Sequence, residues 1–149
     1  MTTMVSAESY QGCVAEAAIL NALHWIELYG TSGYRADHGG ICDMERDGGF
    51  AYFTLRSENK SLAGHAGFML INSPFYGKSI ALDAFYYILP EFRGQYGMCK
   101  LLKFAARTMK QNGVDSVIVS HKTAANIRPI IERSGFVKTG ETYTFTGEP

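Results

Sequence analysis

The residues with the greatest chemical reach lie in one stretch, Ser79 to Lys110, SIALDAFYYILPEFRGQYGMCKLLKFAARTMK. Asp83 is a lone carboxylate in an aromatic, apolar run from Ile80 to Leu89 that reads as a strand. Period two puts it on the face of Ala81, Phe85 and Tyr87, where apolar neighbours raise a carboxyl pKa and make it a better proton acceptor. The competing reading is an aspartate that anchors a neighbouring loop by hydrogen bonds. Pro90 stops the strand, because proline has no N–H for the ladder. Arg93, Gly94, Gln95, Tyr96 and Gly97 then form a turn with two glycines and one cation. From Met98 onward, Leu101, Leu102, Ala105 and Met109 recur at the spacing of an amphipathic helix. The first N–H groups of such a helix lack internal partners, and the macrodipole adds the equivalent of about half a positive charge. Strand, turn and helix N-terminus together predict an anion site suited to a phosphate or pyrophosphate. The alternative is an ordinary strand–turn–helix connection without a ligand.

Flanking elements position this stretch. Ala7 to Leu28 reads as an alanine-rich helix with Ala15, Ala18, Ile19, Ala22, Trp25, Ile26 and Tyr29 on one broad face, stopped at Gly30. His24 and Trp25 read as packing residues. Gly30 to Gly49 reads as loop with one short helix or edge strand, and its His and acidic residues show no metal-ligand spacing. Phe50–Arg56 and Leu62–Ile71 predict a hairpin around Ser57-Glu58-Asn59-Lys60, with His65 as a buried, hydrogen-bonded residue and a minor catalytic candidate. Asn72 to Gly77 connects into the central strand. Gln111-Asn112-Gly113 ends the central helix, and Val114 to Ser120 predicts a strand buried on both faces. A short helix carries Ile127, Ile130 and Ile131, with Pro129 in its first turn and Gly135 at its end. Phe136–Val137 and Glu141–Phe145 predict a closing hairpin.

Composition narrows the class of protein. The 149 residues fit one domain with a core of its own, and the apolar and charged fractions of 46% and 19% fit a globular chain rather than a disordered one. Fourteen basic residues balance fourteen acidic ones, so no net field attracts nucleic acid or an anionic membrane. Cys13, Cys42 and Cys99 lack the paired spacing of a disulfide framework or zinc site. No apolar run is long enough to span a bilayer, and the N-terminus lacks the basic start of a signal peptide, which predicts a cytoplasmic protein.

The lettering adds a family likeness. PEFRG, a glycine-bearing turn and KLL resemble motif A of the GNAT superfamily, the acetyl-CoA-dependent N-acyltransferases. That pattern runs Pro, Glu or Asp, an aromatic residue, then Gln/Arg-x-x-Gly-x-Gly/Ala. Matched without gaps, Arg93 takes the Gln/Arg position, Tyr96 and Met98 fall where the small residues belong, and Gly97 lies one place off. IIERSGFVKTGETYTF resembles the end of GNAT domains, where a short helix finishes in a Gly-Phe pair, here Gly135-Phe136. The resemblance covers about Phe50 to Phe145, and LPEFRG with the IERSGF–ETY ending is most similar to small phage-encoded GNAT-like proteins.

The resemblance implies a single α/β (α+β) domain over 1–149, with a mixed, mostly antiparallel, splayed sheet flanked by helices. It implies acetyl-CoA as cofactor, an amine acceptor and a possible homodimer, with the loop after the first helix near the acceptor. Pantetheine would pair with the backbone edge of Tyr86, Tyr87 and Ile88. The pyrophosphate would rest on Gly94, Gln95, Tyr96, Gly97, Met98 and Cys99, with Arg93 nearby and Asn126 close to the family's asparagine. A carboxylate on this strand is the base in many members, which assigns that role to Asp83. The family's acidic tyrosine falls on Ile131, leaving Tyr143, Tyr87 and His121 as substitutes, or water as the proton source. The leading reading is therefore an N-acetyltransferase acting on a primary amine of a small molecule or protein. A non-catalytic GNAT-like binding protein is the alternative. A nucleotide module is weaker, because no Walker lysine follows the glycines.

Overall fold

The protein is described by a computed structural model covering residues 2–31, 33–75, 77–94, 96–121 and 127–147. Strand β1 (Met4–Ala7) leads into helix α1 (Tyr10–Tyr29) and helix α2 (His38–Arg46). Strands β2 (Phe50–Arg56), β3 (Leu62–Ser73) and β4 (Lys78–Ile88) follow. A 3-10 turn (Pro90–Phe92) leads into α3 (Gly97–Gln111), then β5 (Ser116–Ile118) and α4 (Arg128–Arg133). The five strands lie in the order β1-β2-β3-β4-β5. Neighbours are antiparallel except β4 and β5, which α3 joins as a parallel crossover. This is the mixed, mostly antiparallel, helix-flanked sheet expected above.

Two helices cover opposite faces of the sheet. Leu101, Leu102, Ala105 and Met109 of α3 pack on Phe53, Ala66, Phe68 and Ala81, with Ile131 of α4 closing the cluster. Each fully buried leucine there contributes about 1.5–3 kcal/mol of transfer free energy. On the other face, Tyr10, Cys13 and Ala17 of α1 meet Phe50 and Tyr52. Gly67 lets this side close: a Cβ there would come within 2.6 Å of ring carbons of both Phe50 and Phe85.

Several expectations are corrected. Residues before Tyr10 form an added strand, β1, paired with β2 from Met4↔Arg56 to Ala7↔Phe53, and α1 starts only after Ser9 caps it through the Gly12 N–H. The buried stripe of α1 is Tyr10, Cys13, Ala17, Leu20 and Asn21, while Ile19, Ile26 and Tyr29 are exposed. Alanine on every side leaves such a helix with little apolar asymmetry from which to choose a face. β5 pairs over only three residues and carries an exposed residue at each end, so it is not buried on both faces. The closing hairpin does not form: residues 136–146 carry no strand, and Val137, Tyr143 and Phe145 stand exposed. Lys138 and Tyr143 instead bond locally to Glu141.

Glu8 and His65 carry large shifts that shape the response to acid. Glu8 accepts hydrogen bonds from Arg56, which also reaches Glu16 and the Lys60 carbonyl, so the start of α1 is bound to β2. The Arg56 contact lowers the Glu8 carboxyl to about 2. His65 is fully buried in β3, where its Nδ1 meets the Tyr52 hydroxyl at 2.8 Å, and burial lowers it to about 3. Both folded pKa values lie below the unfolded ones, so the stability each contributes is lost as pH falls. His65 sets the slope from about 6.5 down to 3, and Glu8 adds its own from about 4.5 down to 2. Denaturant unfolding between pH 7 and 4.5 should show a slope approaching about 1.4 kcal/mol per pH unit. His65→Gln should flatten it; an equally steep slope in that variant would locate the titration elsewhere.

Candidate active site

The site begins where the sheet ladder breaks. β4 pairs with β5 only as far as Leu82↔Ile118. On its other edge, β4 carries a bulge: Gly67 faces Phe85 and Phe68 faces Asp83, so Ala84 is an extra residue. The bulge reverses the alternation that the sequence suggested. Asp83 shares the α3 face with Ala81 and Tyr86, whereas Phe85 and Tyr87 turn to the α1 face. Asp83 therefore does not stand among Phe85 and Tyr87.

Past Ile118 the strands are held by side chains instead of a ladder. Asp83 Oδ1 accepts the Ser120 N–H at 3.0 Å, and the Tyr86 hydroxyl donates to the Ser120 carbonyl at 2.5 Å. Burial first, then the Asp83 charge, raises the Tyr86 hydroxyl and keeps it protonated. The anchoring role foreseen as the alternative for Asp83 is thus filled by one of its oxygens. The part of the Tyr86 side chain in this clamp was not legible in the sequence.

Below the wedge, the turn after Pro90 builds a cradle. Tyr96 caps α3 in the left-handed conformation, φ 61°, which costs a non-glycine residue about 1–2 kcal/mol. This is where motif A has its first glycine, and the backbone demand accounts for that preference. Gly97 answers a different demand, since a Cβ there would lie 3.2 Å from Leu55 Cδ2 and 3.3 Å from Ile88 Cδ1. Lys100 N–H is bonded to the Tyr96 carbonyl at 2.9 Å, so Gly97, Met98 and Cys99 present the N–H groups that precede the helix ladder.

A cavity of about 280 Å³ opens at this end of α3, lined by Ile88, Arg93, Gly94, Tyr96, Gly97, Met98, Cys99, Ile127, Ile130 and Arg133. Seven of the residues proposed from sequence for the cofactor are thus brought together; Gln95 and Asn126 lie outside the described residues. Ile127, Ile130 and Arg133 were missed, because isoleucines at helical spacing read as core. The Arg93 side chain turns from the turn to α1: its terminal nitrogens grip Glu27 at 2.8 and 2.7 Å, and its Nε donates to the Ile88 carbonyl at 2.9 Å. The guanidinium lies 5.3 Å from the centre of the Tyr87 ring and holds the Glu27 carboxyl below its ordinary range.

The remaining candidates separate. Tyr87 is buried on the α1 face, stacked on His24 at 4.9 Å. His121 follows Ser120 at the mouth of the wedge and is exposed. Tyr143 is 85% exposed and bonded to Glu141. Ile131 lies in the α3 core cluster, so this position offers no proton. Among the described residues, no group of three or more His, Cys, Asp or Glu is placed to hold a metal, and no helix is long and apolar enough to cross a membrane.

Known proteins share this architecture. Solved structures align over nearly the whole of both chains. AAC(6')-Iy, in complex with the bisubstrate analog CoA-S-monomethyl-acetylneamine, has a TM-score of 0.75 at 14% identity, covering 100% of each chain. The ribosomal-protein-alanine N-acetyltransferase of Brucella melitensis biovar Abortus 2308 has 0.74 at 15%, covering 99% of this chain and 100% of its own. Glucosamine-6-phosphate N-acetyltransferase of Arabidopsis thaliana has 0.70 at 14%, with the same coverage. No curated protein matches the sequence at a significant level. At such identities the structures establish the fold, and the sequence itself matches the acetyltransferase (GNAT) family over residues 15–136. The chain belongs to the acetyltransferase (GNAT) family.

Proposed function

We propose that the protein transfers an acetyl group from acetyl-CoA to a primary amine of a small-molecule or protein acceptor. The observation that carries this reading is the cavity of about 280 Å³ at the α3 N-terminus, which follows in the chain the part of β4 that β5 leaves unpaired beyond Leu82 and that carries Asp83. The cavity suits the cofactor. The N–H groups of Gly97, Met98 and Cys99 and the α3 dipole would hold the diphosphate, while Ile127, Ile130 and Met98 offer apolar cover for the pantetheine arm. Tyr86, Tyr87 and Ile88 supply backbone along β4, although the Ile88 carbonyl is already engaged by Arg93.

Acetyl-CoA supplies a thioester carbonyl that an amine can attack. Free alkyl amines have a pKa near ~10.4 and are mostly protonated at neutral pH, so a base must first take a proton. Asp83 serves as that base, with Ser120 N–H fixing its orientation through Oδ1. The C–N bond then forms, the C–S bond breaks, and the thiolate takes a proton from water, as Ile131 carries none. His121 and Tyr143 are secondary candidates for that proton. Balanced charge over the sequence supports an acceptor that is not a polyanion. The narrower grouping with phage-encoded members rests on the LPEFRG and IERSGF–ETY letters, and homodimerisation on family habit. Buried Ile131 and Tyr96 at a glycine position favour the second reading, a member that binds a partner without catalysing transfer.

Calorimetric titration with acetyl-CoA, with ATP as control, should give micromolar binding of acetyl-CoA alone; no binding would overturn the enzyme reading. Asp83→Asn retains an oxygen for the Ser120 N–H, so melting should be unchanged while turnover drops about 10²–10⁴-fold. Unchanged turnover would remove Asp83 as the base. Restoring the family's tyrosine by Ile131→Tyr should overpack the core and cost about 1–3 kcal/mol in denaturant unfolding. A variant of unaltered stability and raised turnover would show that the position still opens onto the site.

A further inference from the structure

Resting on the cofactor reading above, we propose that Arg133 and Tyr96 form the subsite for the nucleotide end of coenzyme A, with Arg133 in place of Arg93 as its phosphate-binding cation. Both side chains border the cavity at the α3 N-terminus. Arg93 borders it as well, yet its guanidinium is committed: both terminal nitrogens hold Glu27, and Nε holds the Ile88 carbonyl. Moving it to a phosphate would strand Glu27 and release the Ile88 carbonyl. Arg133 differs. Among the described residues no carboxylate lies within ion-pair distance of it, and its neighbour Glu132 is taken by Arg128 at 2.7 Å. Its guanidinium carbon lies 5.7 Å from the centre of the Tyr96 ring. An arginine fork suits phosphate oxygens by geometry as well as by charge.

Tyr96 supplies the second half of the argument. Its backbone is left-handed, a conformation that glycine adopts without cost, yet the position holds a large side chain that is 70% exposed and outside the core. Neither core packing nor backbone geometry accounts for the tyrosine. What the ring does is stand against Arg133 at the rim of the cavity that Gly97, Met98 and Cys99 also line. An aromatic face at that rim suits the stacking of a purine. The pair therefore offers the two things a nucleotide phosphate requires, a planar partner and an anion receptor. The same chemistry serves the diphosphate or the ribose 3′-phosphate, and dephospho-coenzyme A separates them.

Calorimetry of wild type, Arg133→Gln, Tyr96→Gly and Arg93→Gln with coenzyme A, dephospho-coenzyme A and 4′-phosphopantetheine tests the assignment, with melting curves to verify folding. Arg133→Gln should weaken coenzyme A at least tenfold and flatten its salt dependence. Loss confined to coenzyme A would identify the 3′-phosphate, and equal loss for dephospho-coenzyme A the diphosphate. Tyr96→Gly should weaken both nucleotides and leave phosphopantetheine within twofold. If Arg133→Gln binds coenzyme A within twofold of wild type, or Tyr96→Gly binds it more tightly, the subsite is wrong while the cofactor reading stands. Failure of the wild type to bind any of the three would overturn both.

Discussion

A parallel strand pair that stops after three residues must have its loose ends held by something other than a ladder. In this fold two side chains of β4 do that, Asp83 from the Ser120 N–H and Tyr86 from the Ser120 carbonyl. Backbone groups at a strand end are expensive to leave unpaired, and here they are satisfied without closing the gap. The wedge is consequently a stable feature rather than a frayed edge. Everything proposed for the chemistry depends on it, because it brings a carboxylate to an open edge of the strand that leads to the α3 N-terminus.

The wedge depends in turn on Ala84. With one extra residue in β4, Asp83 stays on the α3 face with Ala81, Tyr86 joins it there, and Phe85 and Tyr87 go under α1. The aromatic pair then fills the α1 side, where Gly67 leaves room for the Phe85 ring. A regular strand would have buried Asp83 among aromatic rings or exposed them. A bulge near a site thus does what bulges commonly do: it re-aims side chains that a strict two-residue period would misplace.

The sequence made strongly patterned elements legible. β2 follows from its short aromatic, apolar run bounded by turn residues, and the apolar face of α3 from its helical spacing. The turn after Pro90 was legible as backbone, since proline, glycines and a helix start leave few options. Other features depended on tertiary partners. The Ala84 bulge has no local signal, as alanine fits a regular strand equally well, and so the face of Asp83 could not be read. The pairing of Arg93 with Glu27, distant in sequence, likewise has no local signal. The C-terminal segment has the lettering of a hairpin, yet Lys138 and Tyr143 bond locally to Glu141 and its alternation yields no ladder.

The Arg93–Glu27 contact joins α1, which covers one face of the sheet, to the turn that borders the cavity at the α3 N-terminus. Helix and turn are therefore mechanically linked, and neither shifts far without breaking a bidentate pair. A ligand that displaces α1 works against the turn, and one that tightens the turn steadies α1. Linkage makes such influence reciprocal: whatever the first occupant does to the affinity of the second, the second does to the first. One ion pair thereby lets a change on the α1 side of the sheet and a change at the α3 N-terminus be felt by each other.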